Sequence, residues 1–219
     1  MTLPPPESIQ PSAYVDSDHP AVVDFARSVT SGASDDRERA SRLFAAVRDR
    51  LRYDPYSLSA DPEQYRASAI LTSESAWCVP KAVALAAAAR AVEIPAMLGF
   101  SDVRNHLSSP KLLTLMGTDL FVYHGWVQMY VGGQWRKASP AFNGELCQRF
   151  GVAPLEFDGT KDALLHQYDG AGRRHMEYVR ERGVFADLPF TEVMEALRAT
   201  YGGMLYPRGE DDTFSPVEG

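Results

Sequence analysis

From Val83 to Ala91 the chain reads Val-Ala-Leu-Ala-Ala-Ala-Ala-Arg-Ala. No segment constrains the fold more. Alanine loses almost no side-chain freedom in a helix, so the run predicts a helix, placed here over residues 78–91. Small residues on every side let other elements approach closely, which suits a buried central position. The helix follows Ser75-Ala76-Trp77-Cys78-Val79-Pro80, so a thiol stands at its N-terminus. Unpaired backbone N–H groups and the positive end of the helix dipole favour the thiolate there, the form that attacks carbonyl carbon.

Around this helix the pattern predicts an α+β fold. Ser34 to Glu38 opens a helix whose apolar stripe is Ala40, Leu43, Phe44, Val47 and Leu51, ending before Asp54-Pro55. A short helix or turn is expected over 61–73, and Glu93-Ile94-Pro95 closes the central helix. Strands are expected over Met97–Val103, Phe121–Val131 and Gln134–Ala138, with a short helix over Pro110–Met116. Simple alternation puts Phe121, Tyr123, Val127, Met129 and Val131 on one face of the second strand. Val122, His124, Trp126, Gln128 and Tyr130 take the other. Residues Arg173–Glu181 and Thr191–Tyr201 read as helices. Residues 1–12, with four prolines, read as an extended arm, 13–206 as one domain, and 207–219 as a disordered tail.

Gly132-Gly133 is a two-residue hairpin signal. Pairing Val131 with Gln134 sets His124 opposite Ala141, with Ser139 and Asn143 as its diagonal neighbours. Either could accept an imidazole N–H and orient the ring, although Pro140 softens the ladder there. A helix-start cysteine and a strand histidine make up the minimal equipment for nucleophilic acyl transfer.

These segments together resemble the transglutaminase-like superfamily, with its papain-like core. The resemblance rests on Trp77-Cys78 with its helix, Val92 to Phe100, His124-Gly125-Trp126-Val127, and Trp135 to Pro140, within residues 74–143. It implies Cys78 as nucleophile, His124 as base, and a third residue on the next strand. The family's hairpin usually ends in Asp-Pro; Ser139-Pro140 stands in that place. The orienting role is therefore open among Ser139, Asn143 and Asp102. The implied reaction is acyl transfer from a peptide or other amide through a thioester, as hydrolysis, transamidation or deamidation. The alternative is a catalytically weakened member that binds peptides or proteins. A redox-sensing thiol is a third reading.

Trp77, Trp126 and Asp102 are candidate substrate contacts. The Cys78 backbone N–H is one natural oxyanion donor, and the Trp77 indole is a substitute for the missing side-chain donor. Arg104, Asn105 and His106 read as a loop network, and Cys147 as packing. His166, Asp169, Arg173, Arg174 and His175 fit no zinc spacing and read as solvated surface. Neither metal nor cofactor is expected. A net charge of −7 argues against nucleic acid or an anionic membrane as partner. The absence of an eighteen-residue apolar run, and an N-terminus without signal-peptide features, point to a reducing cytoplasm with both cysteines as free thiols.

Overall fold

The helix that starts at Cys78 is the centre around which the rest is assembled. A computed structural model describes residues 3–202 apart from 107, 109 and 170. In it every side chain from Cys78 to Arg90 is buried. The elements run in chain order α1 (Pro20–Thr30), α2 (Asp36–Arg50), β1 (Arg52–Tyr53), α3 (Ala67–Ile70), β2 (Ser75–Ala76), α4 (Cys78–Ala91), β3 (Ala96–Asn105), α5 (Pro110–Met116), β4 (Leu120–Val131), β5 (Gln134–Ala138), α6 (Gly144–Arg149), β6 (Met176–Phe185) and α7 (Phe190–Tyr201). Helices α1, α2 and α3 pack on one side of α4 and the sheet on the other. The architecture is the expected α+β arrangement, a central helix packed on an antiparallel sheet.

Two buried cations tie α4 to its surroundings. Lys81 Nζ donates to the carbonyls of Arg48 (2.8 Å) and Leu51 (2.6 Å), closing the C-terminus of α2. The Arg90 guanidinium donates to the carbonyls of Gln10, Ala96 and Ala186. Gln10 of the N-terminal segment is thus tied to the body, and Ser8 nearby is fully buried. Asp35 caps α2 through the Glu38 N–H at 2.9 Å, and the stripe Ala40, Leu43, Phe44, Val47 and Leu51 is fully buried as its spacing requires. Helix α1 has no counterpart in the sequence reading, although Pro20 at its first turn was its cue. The tail, 207–219, lies outside the described residues.

The sheet is antiparallel, in the order β5-β4-β3-β6. Gly132 and Gly133 both have positive φ, as a type I′ hairpin turn demands, and pairing runs from Val131↔Gln134 to Val127↔Ala138. The inferred register is therefore present, but it stops at Ala138. There the chain turns away, and the Ser139 N–H donates to the Ala163 carbonyl. His124 consequently has no strand partner at Ala141.

Residues 176–185 form a strand, which corrects the helix expected over 173–181. The Glu-Arg-rich composition suits a helix locally, but the open edge of β3 offers a row of backbone groups that only a strand can satisfy. Register shifts beside Val179 and Arg182 interrupt its alternation and hide the period-two signal.

Candidate functional site

Cys78 is the first residue of α4 and is 6 % exposed. Trp77 precedes it in extended conformation and caps no N–H with its side chain. The backbone N–H groups of Gly125, Val79 and Cys78 itself, together with the nearby Lys81, favour the thiolate. Burial outweighs them and pushes the thiol up to about 11. The expected resting thiolate is thus replaced by a neutral thiol, because withdrawal from water costs the anion more than the helix end returns. Burial also draws Lys81 down to about 7.

The approach of β4 to α4 depends on Gly125. A Cβ there would lie 2.9 Å from the Val79 Cα and 3.1 Å from the Cys78 carbonyl oxygen, both backbone atoms. Gly125→Ala should therefore cost about 1–3 kcal/mol in urea unfolding, the usual range for overpacking. Gly144→Ala, whose nearest atom would be 3.6 Å away, should cost much less. Equal effects would mean that the close approach is not what Gly125 provides.

His124 sits just past a bulge. Ser101 pairs with His124 but Val103 pairs with Phe121, so Asp102 faces the extra residue of β4. Tyr123 takes a positive φ of 54°, which a bulky residue adopts only when held. Asp102 holds it. Its carboxylate accepts the Tyr123 N–H (3.2 Å) and the Arg182 Nε (2.9 and 3.0 Å) and Nη2 (2.8 Å). The Arg182 guanidinium in turn lies 4.8 Å over the Tyr123 ring. The bulge shifts the alternation, so Phe121 shares the His124 side, and both line a small cavity with Val103. This corrects the face assigned to Phe121.

The His124 Nε2 is hydrogen-bonded to the Ser139 hydroxyl at 3.1 Å. The Tyr178 ring stands edge-on to the imidazole, with centroids 6.1 Å apart. Burial draws His124 down to about 4. Asn143 Oδ1 instead accepts the Tyr53 N–H at 3.0 Å. Ser139 is thus the residue brought to the imidazole, while Asn143 and Asp102 are engaged elsewhere.

Trp77 lines an apolar cavity of about 30 Å³ beside Cys78, together with Tyr53, Met116, Phe121, Leu197 and Tyr201. On its other side lies a cleft of about 320 Å³ with Ser57, Ser59, Gln64, Tyr65 and Thr72 in its wall. Among the described residues the buried Trp77 indole N–H meets no acceptor at full hydrogen-bond geometry. Trp126 is elsewhere. Its ring covers Gly99, its N–H donates to Ser101 Oγ (3.0 Å), and the Lys137 ammonium lies 4.6 Å above it. Tyr53 and Tyr201 were missed in the sequence, since nothing local marks a tyrosine at a strand end or a helix end as a site residue.

The remaining polar groups are structural. Arg104 pairs with Asp119 and His106 with Glu177. Cys147 Sγ faces the Phe142 carbonyl at 3.8 Å, and both cysteines are free. Asp169 and His175 are buried, which differs from the expected solvated surface: Asp169 binds Arg173 at 2.7 Å, and His175 stacks on Phe142. Among the described residues no three His, Cys, Asp or Glu side chains converge on a point that could hold a metal ion, and no helix is long and apolar enough to cross a membrane.

An α+β core with a cysteine at the start of its buried helix and a histidine on the adjoining strand defines a protein of papain-like architecture. The model of the transglutaminase-like superfamily matches residues 23–140, over half of the chain, and the chain belongs to that superfamily. A crystal structure of a Cytophaga hutchinsonii protein named as a candidate cysteine protease shares the fold, at 18 % identity and a TM-score of 0.50. The match covers 82 % of this chain but 46 % of that one, so this chain spans less than half of its length. No curated protein sequence matches. Superfamily membership supports cysteine-based catalysis as the general class of chemistry.

Proposed function

We propose that the protein transfers acyl groups from peptide or small amides through a thioester on Cys78. The observation that carries this reading is the convergence of backbone N–H groups from α4 and β4 on the Cys78 sulfur, with His124 next along β4 and tethered to Ser139. In the resting site both thiol and imidazole are neutral. As the carbonyl is attacked, the thiol proton passes to the imidazole nitrogen that Ser139 leaves free, Nδ1. The sulfur–carbon bond forms, and the amide nitrogen leaves after taking that proton. Water or a second amine then cleaves the thioester. Donors at the start of α4 face the developing oxyanion. The reaction needs no group beyond these side chains, and it suits a reducing compartment in which Cys78 stays a thiol.

Ser139 in place of a carboxylate favours a second reading, a weakened site that retains peptide binding. One measurement separates the two. Exposure to p-nitrophenyl acetate should leave an acetyl group on Cys78, read by intact mass. It should be absent in Cys78→Ala and form about a hundredfold more slowly in His124→Ala. A wild-type protein that neither forms the adduct nor releases p-nitrophenolate faster than Cys78→Ala would rule out the catalytic reading.

A further inference from the structure

Strand β4 is paired with β3 along most of its length but with β5 only from Val127 to Val131. Before Val127 its second edge carries no strand among the described residues. Alternate residues of an antiparallel strand turn N–H and C=O toward the same edge, so Leu120 and Val122 present a carbonyl and an amide there. One side chain takes both. The Tyr201 hydroxyl accepts the Val122 N–H at 2.6 Å and donates to the Leu120 carbonyl at 2.9 Å. A residue of an added strand would satisfy the same pair with its own C=O and N–H.

Tyr201 is also the last residue of α7, and a helix end is the part that opens at least cost. With Leu197 it closes the cavity beside Cys78, whose lining includes Phe121 and Val122 and, among the described residues, no charged one. A donor–acceptor pair on an open strand edge, an uncharged hollow and the thiol therefore lie under one displaceable side chain.

We propose that an extended peptide segment of the substrate pairs with β4 at Leu120 and Val122, displaces the Tyr201 side chain, and places an apolar side chain in the space so opened beside Cys78. This deepens the acyl-transfer reading and rests on it for the role of Cys78. The substrate class it names is a peptide with an unblocked backbone and an apolar residue near the scissile amide.

The test uses Cys78→Ala protein, so that binding is read apart from chemistry, with acetyl-Val-Leu-Phe-amide as probe and its singly N-methylated forms as controls. The unmethylated peptide should bind, and at least one N-methylated form should bind about tenfold more weakly, having lost its backbone donor. Adding Tyr201→Phe should tighten the unmethylated peptide by about the same factor, because the competing hydroxyl is gone. The proposal is overturned if the probe does not bind, if all N-methylated forms bind equally well, or if folded Tyr201→Phe protein shows no gain. The N-methyl comparison needs no change at Tyr201, so it decides even if that variant misfolds. Failure here leaves the thioester reading to the acetylation measurement.

Discussion

Replacing Ser139 with aspartate should raise the pH at which His124 titrates by about 1–3 units and let Cys78 react with iodoacetamide below the pH that the thiol alone requires. The thiol is pushed up to about 11 and the imidazole down to about 4, so burial disfavours their proton-transferred pair. A serine hydroxyl holds the ring but offers no charge to the imidazolium. A carboxylate at the same 3.1 Å position should raise the histidine by about 1–3 units, each unit being tenfold in ion-pair population. In wild-type protein the alkylation rate should climb with pH toward about 11, without a plateau at neutral pH. In Ser139→Asp a shoulder should appear well below that value, and it should vanish when His124→Ala is added. If Ser139→Asp is no faster, or is equally fast without His124, Ser139 does not govern the imidazole's charge.

Removing the Asp102 side chain should have the largest effect on stability. Asp102→Ala leaves Arg182 without its carboxylate and the Tyr123 N–H without its acceptor, both at a buried bulge. Breaking one partner out of a buried ion pair costs about 3–5 kcal/mol; Arg182 is one-fifth exposed, so about 3 kcal/mol is expected. The strained φ at Tyr123 then loses what holds it, and His124 should leave Ser139 for wetter surroundings. Its titration, followed by NMR, should move from about 4 toward the ordinary histidine range. Asp102→Asn keeps an acceptor for Tyr123 and should leave the imidazole in place while losing part of the stability. A urea-unfolding change below 1 kcal/mol for Asp102→Ala, or an unmoved His124 titration, would show that the bulge stands without this clamp.

The two predictions separate the legible parts of the site from the hidden ones. Ser139 could be named as a candidate by counting across Gly132-Gly133, because a two-residue turn sets the register as far as Ala138, the residue before it. Asp102 could be named as a polar group after a strand, but its task could not. That task exists only because β4 gains a residue opposite it, and a bulge leaves no mark on hydrophobic alternation. The β6 error has the same source, since register shifts and an edge position turned a strand into something that reads as a helix.

The resting charge state was also out of reach. A cysteine at a helix start argues for a thiolate, and only the packing of α7, β4 and Trp77 over the sulfur shows that burial dominates.

The sequence by itself determined the alanine-rich helix, the thiol at its start, the hairpin register and the histidine that follows on β4. All of these are set by propensity, capping and turn geometry within a few residues of chain. The tertiary structure alone decided that Asn143 serves Tyr53, that Ser139 meets the imidazole, and that Tyr201 covers the open edge of β4. Those outcomes depend on contacts between residues 15 to 90 positions apart, where burial and backbone hydrogen bonding outweigh local preference.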